Sequence, residues 1–405
     1  MLASTVKLTG RSIIGFREGG GSGELLYATN PTTGHRLEPG FIPATSEEVD
    51  LSARLAAEAF DVYRRVSGRD RGAFLRAIAT KIEAITGEIV ERAGQETALP
   101  AGRLQAETAR TCAQLRLFAQ VAEEGSWVNA RIDQAEPDRK PIPKPDIRSM
   151  LHPLGPVVVF GASNFPLAFS VAGGDTASAL AGGNTVIVKA HAAHPGTSEL
   201  VGRAVQEAVR ECGLPEGVFS VLFGSGAQIG TALMKHPLVK AGGFTGSRTA
   251  GRTLMDVAAA RPEPIPFYAE MSSTNPVFIL PGALRERGDQ IAAGLHTSFT
   301  LGAGQFCTKP GMVFLAKGAE AAAFADKLRQ LVAASAPFHL LTRTIQSSYD
   351  SAISRRKVEA EAKLTACGSQ QTPAAGFAVS SAVFETDVAS FLGSELGAEI
   401  FGPTT

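Results

Sequence analysis

Cys307 lies in a glycine-rich segment of the sequence, LGAGQFCTKPG at residues 301–311. Most lone cysteines are small core residues, and we interpret Cys112, Cys212 and Cys367 in that way. The glycines around Cys307 favour a close backbone approach and a turn that presents the thiol beside its own N–H. A thiolate in that setting can act as a nucleophile.

Three polar residues end predicted strands or follow them directly. Glu270 closes the strand PEPIPFYAE: it is either solvated, as most acidic residues are, or a general base in an apolar strand. Asn164 lies in a strand-to-helix turn, where its amide either donates to an oxyanion or only stabilises the turn. Lys189 ends another strand, and its ammonium group either reaches a ribose or phosphate or extends along the surface.

Two loops are candidates for binding phosphate. The pattern Gly224-x-Gly226-x-x-x-Gly230 is one residue longer than the dinucleotide fingerprint and fits a simple tight turn equally well. In the loop Gly246-Ser247, backbone N–H groups and the hydroxyl can hold a pyrophosphate at a helix start.

A histidine pair, His191 and His194, has no third ligand nearby in the sequence. The HExxH pattern of zinc helices is absent from it. We interpret both residues as part of a loop and predict no metal site.

The composition limits the classes of protein that fit. With 405 residues the chain exceeds the roughly 250–300 residues of a single core, so we expect two domains. The 39 basic and 39 acidic residues balance, which offers no electrostatic case for binding nucleic acid. Four scattered cysteines indicate neither a disulfide scaffold nor a zinc ribbon. No window approaches the ~18 apolar residues of a membrane span, so we expect a soluble, cytoplasmic protein.

Two patterns predict how these residues are positioned. Near the start, apolar spacing predicts helices with caps at Thr45 and Asp70 and a third helix over 101–124. From residue 156 onward, strands at 157–160, 185–188, 218–222 and 239–244 alternate with helices. This alternation predicts an α/β fold with a parallel sheet covered on both faces, whose ligands bind beyond the carboxyl ends of the strands.

Seven segments occur along the chain in this order: ATNPTTG (28–34), FGASNFPLAFS (160–170), GGNTVIVKAHAAHPGTSEL (182–200), GFTGSRTAGR (243–252), AEMSSTNPVF (269–278), LGAGQFCTKPG (301–311) and EIFGP (399–403). In sequence and in order, these segments together resemble the aldehyde dehydrogenase superfamily. They are most similar to the branch acting on α-ketoglutaric semialdehyde (2,5-dioxovalerate), with an NADP-dependent fatty aldehyde branch as its neighbour.

The resemblance implies a fold and a domain division. It implies an NAD(P)-binding domain with a parallel Rossmann-like sheet over residues 1–129 and 151–270. Residues 130–150, charged and rich in proline, are then an extended linker or an oligomerisation strand. A second α/β domain, the catalytic one, covers 271–405. Family members continue beyond EIFGP, so we expect that a C-terminal portion is missing and that the full-length parent is a homo-oligomer.

The resemblance also implies roles for individual residues. Cys307 is the implied nucleophile, Asn164 with the Cys307 backbone N–H the oxyanion hole, and Glu270 the base that activates water. The product is then a free acid, without transfer to coenzyme A. The implied cofactor contacts are Gly224 in its turn, Lys189 to ribose, Gly246 and Ser247 to pyrophosphate, and Glu399 with Phe401 around the nicotinamide ribose.

Two positions depart from the wider family. Ala192 stands where NAD-preferring relatives place a glutamate, so we expect NADP or NAD as cofactor, with NADP favoured. Lys189, His191 and Arg210 are candidate partners of a 2′-phosphate. Ser163 replaces a tryptophan beside Asn164, and the semialdehyde branch shares this small residue.

Three alternatives stay open at this point. The first is a fatty or other longer-chain aldehyde as substrate. A semialdehyde instead requires a partner for its carboxylate that is cationic or rich in N–H groups, and the sequence alone does not place Lys309 or Arg103 in that role. The second is a non-catalytic, nucleotide-binding fragment. The third is a hydrolase or acyltransferase that uses Cys307 and Glu270 without hydride chemistry.

Overall fold

The computed structural model describes residues 7–369 and 376–405. Its backbone contacts divide the described chain into two units. The first unit holds the residues up to Ala28 together with Glu38–Ala93 and Pro100–Glu270. The second unit holds Thr29–Leu37, Gly94–Leu99 and Met271–Thr405.

Up to residue 270 the described chain forms four strands, four helices and two further short strands, and from residue 157 onward strands and helices alternate. The described helices there are α1 (Ser46–Tyr63), α2 (Gly68–Ala84), α3 (Thr86–Thr97), α4 (Ala101–Glu124), α5 (Gly174–Ala181), α6 (Pro195–Glu211), α7 (Thr231–Lys235) and α8 (Arg248–Ala259). The strands are β1 (Ile13–Ile14), β2 (Arg17–Glu18), β3 (Leu26–Thr29), β4 (Arg36–Phe41), β5 (Arg131–Asp133), β6 (Ile147–Ser149), β7 (Val157–Phe160), β8 (Val186–Lys189), β9 (Phe219–Leu222), β10 (Ala241–Thr245) and β11 (Phe267–Glu270).

The start of α1 follows the expected capping box. The Thr45 hydroxyl accepts the backbone N–H of Glu48, and the Glu48 carboxylate accepts that of Thr45. The cap of α2 was predicted wrongly. Ser67, not Asp70, is the N-cap, because its hydroxyl accepts the Asp70 N–H and Asp70 lies in the first turn. Helix α4 has the predicted bounds.

The first unit is built on a seven-stranded sheet in the order β11-β10-β7-β8-β9-β1-β2. The strands from β11 to β9 are parallel, while β1 pairs antiparallel with β9 and with β2. The core strands are runs of apolar residues that are largely buried, as expected where both faces of a sheet are covered.

Alternate residues along these strands pack into two different apolar layers. Val159, Val188 and Val221 join the layer formed by α2, α4, α5 and α6. Val158 and Ile187 join the opposite layer, formed by α1, α7 and α8. The prediction of a parallel sheet covered on both faces is therefore confirmed.

Residues 130–150 contain two short strands, β5 and β6, that pair antiparallel. The side chains of both strands are exposed. Ile132, Ile142 and Ile147 are 64%, 68% and 52% exposed.

The second unit contains α9 (Pro281–Thr300), α10 (Ala319–Ala333), α11 (Arg343–Val358) and α12 (Val388–Leu392). Its strands after residue 270 are β12 (Pro276–Ile279), β13 (Met312–Leu315), β14 (Phe338–His339), β15 (Lys363–Cys367), β16 (Ala378–Val379) and β17 (Ala382–Glu385). β12 and β13 are parallel, and the described apolar side chains form two clusters, around Phe299 with Phe324 and around Leu340 with Tyr349. None of the described helices is long and apolar enough to cross a membrane.

Candidate functional site

Most of the candidate residues in the first unit follow the carboxyl ends of parallel strands. Asn164 follows β7, Lys189 ends β8, Gly224 follows β9, Ser247 follows β10 and Glu270 ends β11. Because neighbouring strands lie about 4.8 Å apart, these ends form one continuous edge of the sheet. The chain moves from β7 to β8 and β9 on one side, then returns to β10 on the other, which makes β7 and β10 a topological switch point.

Asn164 lies in a loop that packs against α4. The residue is buried, and its backbone oxygen accepts a hydrogen bond of 2.9 Å from Arg103 Nη2. Its neighbour Ser163 is half-buried. A side chain of α4 therefore holds the backbone of the turn between β7 and α5 at Asn164.

Lys189 is 7% exposed at the end of β8. Burial lowers the pKa of Lys189 to about 8. Ala192, three residues later, is exposed. The edge thus offers one amine of reduced basicity and no carboxylate at position 192.

The histidine pair packs behind this lysine. The His191 and His194 rings stack with their centroids 5.6 Å apart, and His194 Nε2 lies 2.8 Å from the Ala162 oxygen. Burial, together with the charges of His194 and Lys189, holds the pKa of His191 well below its ordinary value. Over residues 7–369 and 376–405, no group of three or more His, Cys, Asp or Glu side chains is arranged to hold a metal ion.

The structure does not bring Arg210 to this edge. Arg210 lies in the last turn of α6, about 20 Å along the helix from its start after Lys189. Its guanidinium stacks on the Phe16 ring and donates to the Phe16 oxygen. We therefore withdraw Arg210 as a candidate phosphate partner.

The two predicted phosphate loops differ in their geometry. Gly224 has a φ of +146°, and a Cβ there would lie 2.4 Å from Ile229, so the close packing of this turn requires glycine. Ser247 caps α8 and is exposed. The Gly246 N–H already donates to the backbone oxygen of Glu270 at 3.0 Å. Glu270 itself has an exposed side chain.

Cys307 lies half-buried on a turn of the second unit. Its backbone oxygen accepts a hydrogen bond of 2.6 Å from Asn275 Nδ2, and the same amide donates to the Lys309 oxygen at 3.0 Å. Asn275 holds a φ of +44°, which asparagine tolerates better than most residues. The Asn275 side chain therefore bridges two backbone oxygens of the turn that carries the thiol.

Lys309 connects this turn to the EIFGP segment. Its Nζ donates to the Ile400 oxygen at 2.7 Å and to the Thr404 oxygen at 2.9 Å. Burial lowers the pKa of Lys309 to about 8, and the negative charge of Glu399 offsets part of this effect by raising the pKa. The Glu399 carboxylate accepts a hydrogen bond from Ser272, and Phe401 is half-buried.

Sequence reasoning missed Glu107 and Asn275 and left Arg103 and Lys309 unplaced. The spacing of Arg103 and Glu107 on one helix was a usable signal, because residues four apart share a face. The contacts of Asn275 and Lys309 had no such signal, since they join segments that are distant in sequence.

Comparisons with known proteins agree with this architecture. A model of the aldehyde dehydrogenase family matches residues 19–404. Alpha-ketoglutaric semialdehyde dehydrogenase 2 of Azospirillum brasilense is 48% identical over 402 residues, covering 99% of this chain and 76% of that protein. Alpha-ketoglutaric semialdehyde dehydrogenase of Acinetobacter baylyi is 44% identical over 365 residues, covering 90% of this chain and 69% of that protein.

Solved structures share the fold. HpcC from Thermus thermophilus superposes with a TM-score of 0.83 at 22% identity, covering 98% of this chain and 75% of that one. An NAD-dependent benzaldehyde dehydrogenase from Corynebacterium glutamicum gives 0.80 at 23%, covering 98% and 83%. The predicted fold class is confirmed. The expected loss of a C-terminal portion gains no support from the family match and stays a prediction.

Proposed function

The chain belongs to the aldehyde dehydrogenase family, and from this premise we propose that it oxidises α-ketoglutaric semialdehyde to 2-oxoglutarate with NAD(P). The observation that carries the choice of substrate is the 48% identity, over 99% of the chain, to a protein named for that substrate. A fatty or other aldehyde is the alternative substrate.

The residues at the carboxyl edge of the sheet fit a dinucleotide. A buried amine at Lys189, a hydroxyl at Ser247 and the start of the 12-residue helix α8 offer the cation and the donors that ribose and pyrophosphate accept. We assign Lys189 to the ribose and Ser247 to the pyrophosphate, beside Gly246, whose missing side chain lets the phosphate approach the backbone. We assign Glu399 with Phe401 to the nicotinamide ribose. Because Ala192 places no carboxylate beside a 2′-phosphate, NADP is the favoured cofactor.

In the first step the Cys307 thiolate attacks the aldehyde carbon. A C–S bond forms, the carbonyl π electrons move to oxygen, and a thiohemiacetal oxyanion results. We assign the Asn164 side-chain amide and the Cys307 backbone N–H as donors to this oxyanion. These donors stabilise negative charge that is greatest after attack, so they lower the barrier rather than only binding substrate.

The chemistry that NAD(P) supplies when bound is the acceptance of one hydride, which oxidises the thiohemiacetal carbon to the level of a thioester. We assign Glu270 as the base that takes a proton from water, which then attacks the thioester carbonyl. The C–S bond breaks, the thiolate of Cys307 is restored and a free acid leaves. One aldehyde, one water and one oxidised cofactor give one acid, one reduced cofactor and one proton.

We propose further that the chain acts in the cytoplasm and forms a homo-oligomer through residues 130–150. The absence of any described helix fit to span a membrane is compatible with this location. The exposed isoleucines of β5, β6 and the segment between them support an assembly role.

The proposal is tested by mixing the protein with α-ketoglutaric semialdehyde and either NADP or NAD. The absorbance of the reduced cofactor is followed over time. We expect sustained turnover that Cys307→Ala abolishes and that Cys212→Ala, a half-buried thiol at the end of α6, leaves unchanged. A higher kcat/KM for a long-chain aldehyde would instead assign the fatty aldehyde alternative.

Two further results would contradict the proposal. Cofactor binding without turnover of any aldehyde would assign the chain as a nucleotide-binding protein. Ester hydrolysis that depends on Cys307, in a protein that reduces no cofactor, would assign the hydrolase.

A further inference from the structure

Arg103 and Glu107 lie one turn apart on α4, beneath the loop that carries Asn164. Arg103 Nη2 donates to the Asn164 backbone oxygen at 2.9 Å. The same guanidinium lies over the Phe165 ring, 4.9 Å from its centroid. Arg103 therefore holds the beginning of this loop through a charged hydrogen bond and a ring contact.

Glu107 holds the other end of the same loop. Its side chain is 5% exposed, and its Oε1 accepts the backbone N–H groups of Leu167 at 2.9 Å and Ala168 at 3.1 Å. The second oxygen, Oε2, makes no hydrogen bond within the described part of the chain and lies 3.6 Å from Arg103 Nη2. The carboxylate is thus buried against two amides and one cation.

Burying the Glu107 carboxylate costs desolvation free energy, which its partners must offset. A buried carboxylate is retained only where hydrogen bonds and an opposite charge offset its desolvation. Here those partners fix both ends of residues 164–168 to a 24-residue helix whose own apolar face is buried. The direction of the Asn164 side chain follows from the backbone of this short segment.

We propose that Arg103 and Glu107 are positioning residues that orient the Asn164 amide toward the substrate oxyanion. The inference rests on the proposed function, because it assigns a purpose to Asn164 only in aldehyde oxidation. A donor displaced by about 1 Å from the oxyanion loses much of its effect, and such displacements cost up to about 10²-fold in rate.

The first unit contains a matched control on α6. The buried Glu199 carboxylate accepts the backbone N–H groups of Thr9 and Gly10 and pairs with Arg203 four residues later. The pair repeats the same design, but its hydrogen bonds within the described chain go to Thr9, Gly10 and Glu18 and not to the loop that carries Asn164.

The test is a double-mutant cycle on kcat with the semialdehyde. We expect Arg103→Lys and Glu107→Gln each to lower kcat about tenfold and Asn164→Ala to lower it about 10²-fold or more. In the Asn164→Ala background, Arg103→Lys should change kcat less than twofold, because its effect acts through the missing amide. Glu199→Gln should alter kcat by the same small factor in both backgrounds.

Two readouts separate this role from general stability. Hydrogen exchange at the Leu167 and Ala168 amides should accelerate in Glu107→Gln, and the affinity for NADPH should stay unchanged in both variants. If Glu107→Gln does not fold, Arg103→Lys alone completes the cycle.

The outcomes distinguish the two proposals. Equal effects of Arg103→Lys with and without Asn164, in an active wild type, would overturn the positioning role and leave the proposed function standing. A wild type that oxidises no aldehyde would overturn both.

Discussion

Lys189 is a cation in surroundings that disfavour its charge, and this has a consequence for cofactor binding. With a pKa of about 8, the amine is protonated below that pH and neutral above it. A dinucleotide is an anion, so it binds the protonated form better. The neighbouring His191, whose pKa is far lower, stays neutral over the same range and adds no charge change.

We therefore predict that the affinity for NADPH is nearly constant below about pH 7 and falls above it, by about fivefold between pH 8 and 9 at the limit where only protonated enzyme binds. Fluorescence titration of NADPH between pH 6.5 and 9.5 measures this. Lys189→Arg, whose guanidinium stays charged, should bind with a flat profile over that range. Identical slopes for the two proteins would assign the titration to another group.

Ala192 is the residue at which cofactor preference can be changed directly. The side chain is exposed, so a larger residue meets no steric barrier in the first unit. We predict that Ala192→Glu lowers the ratio of kcat/KM for NADP over NAD by about tenfold or more. Repulsion between two anions about 4 Å apart is on the order of 1–4 kcal/mol, and a carboxylate also accepts the 2′-hydroxyl of NAD.

The neutral variant Ala192→Gln separates charge from size. It should shift the ratio much less than the glutamate does. An unchanged ratio in Ala192→Glu would show that the 2′-phosphate is not bound near position 192.

At the scale of elements, the turn that carries Cys307 depends on one side chain. Asn275 donates to the Cys307 and Lys309 oxygens and accepts from the Ser273 hydroxyl. We predict that Asn275→Ala lowers the free energy of unfolding by about 2 kcal/mol, through lost hydrogen bonds and the positive φ that alanine disfavours. Urea denaturation measures the free energy, and hydrogen exchange at residues 305–311 should accelerate.

Asn275→Asp isolates the hydrogen bonds, because aspartate keeps the shape and tolerates the same φ but lacks the two amide donors. We expect it to be at least as destabilising as alanine. A stability equal to that of the wild type in Asn275→Asp would mean that the amide does not hold the turn.

The strands that the sequence predicts best are short runs of mostly apolar residues. The runs at β7, β8, β9 and β10 are largely buried because both faces of the sheet are covered, and such runs between turn residues indicate strands. The two-residue strand β1 could not be predicted from the sequence, because only its pairing with β9 makes it a strand. The cap of α2 was misassigned because Ser67 and Asp70 are both good caps and only backbone geometry selects between them.

The candidate site was predictable to the extent that single positions decide it. The alternation of strands with helices and the rule for carboxyl ends are enough to expect Asn164, Lys189 and Ser247 after the ends of parallel strands. Arg210 does not reach these strand ends, because it lies in the last turn of α6, at the opposite end of the helix from Lys189. The contacts of Glu107 and Lys309 depend on packing between distant segments, which no local pattern encodes.

At the scale of the whole molecule, residues 130–150 expose apolar side chains that nothing in a single chain covers within the described residues. Among the described strands, β5 and β6 pair only with each other, and isoleucines along the segment are more than half exposed. An exposed two-stranded ribbon with apolar side chains gains stability by adding to another surface. We predict that the protein is an oligomer of at least twice 42.2 kDa and that Ile132→Glu with Ile147→Glu reduces it to single chains.

Light scattering after size-exclusion chromatography measures the mass of each variant. Both substitutions replace exposed side chains, so the fold of the chain should be retained, which an unchanged melting temperature would verify. Val62→Glu is the matched control, because Val62 is 54% exposed on α1, outside the ribbon. A single-chain mass for the wild type would show that the ribbon does not assemble chains. An unchanged oligomer mass in the double variant would also exclude the ribbon as the assembly surface, because charges introduced into an interface would have disrupted it.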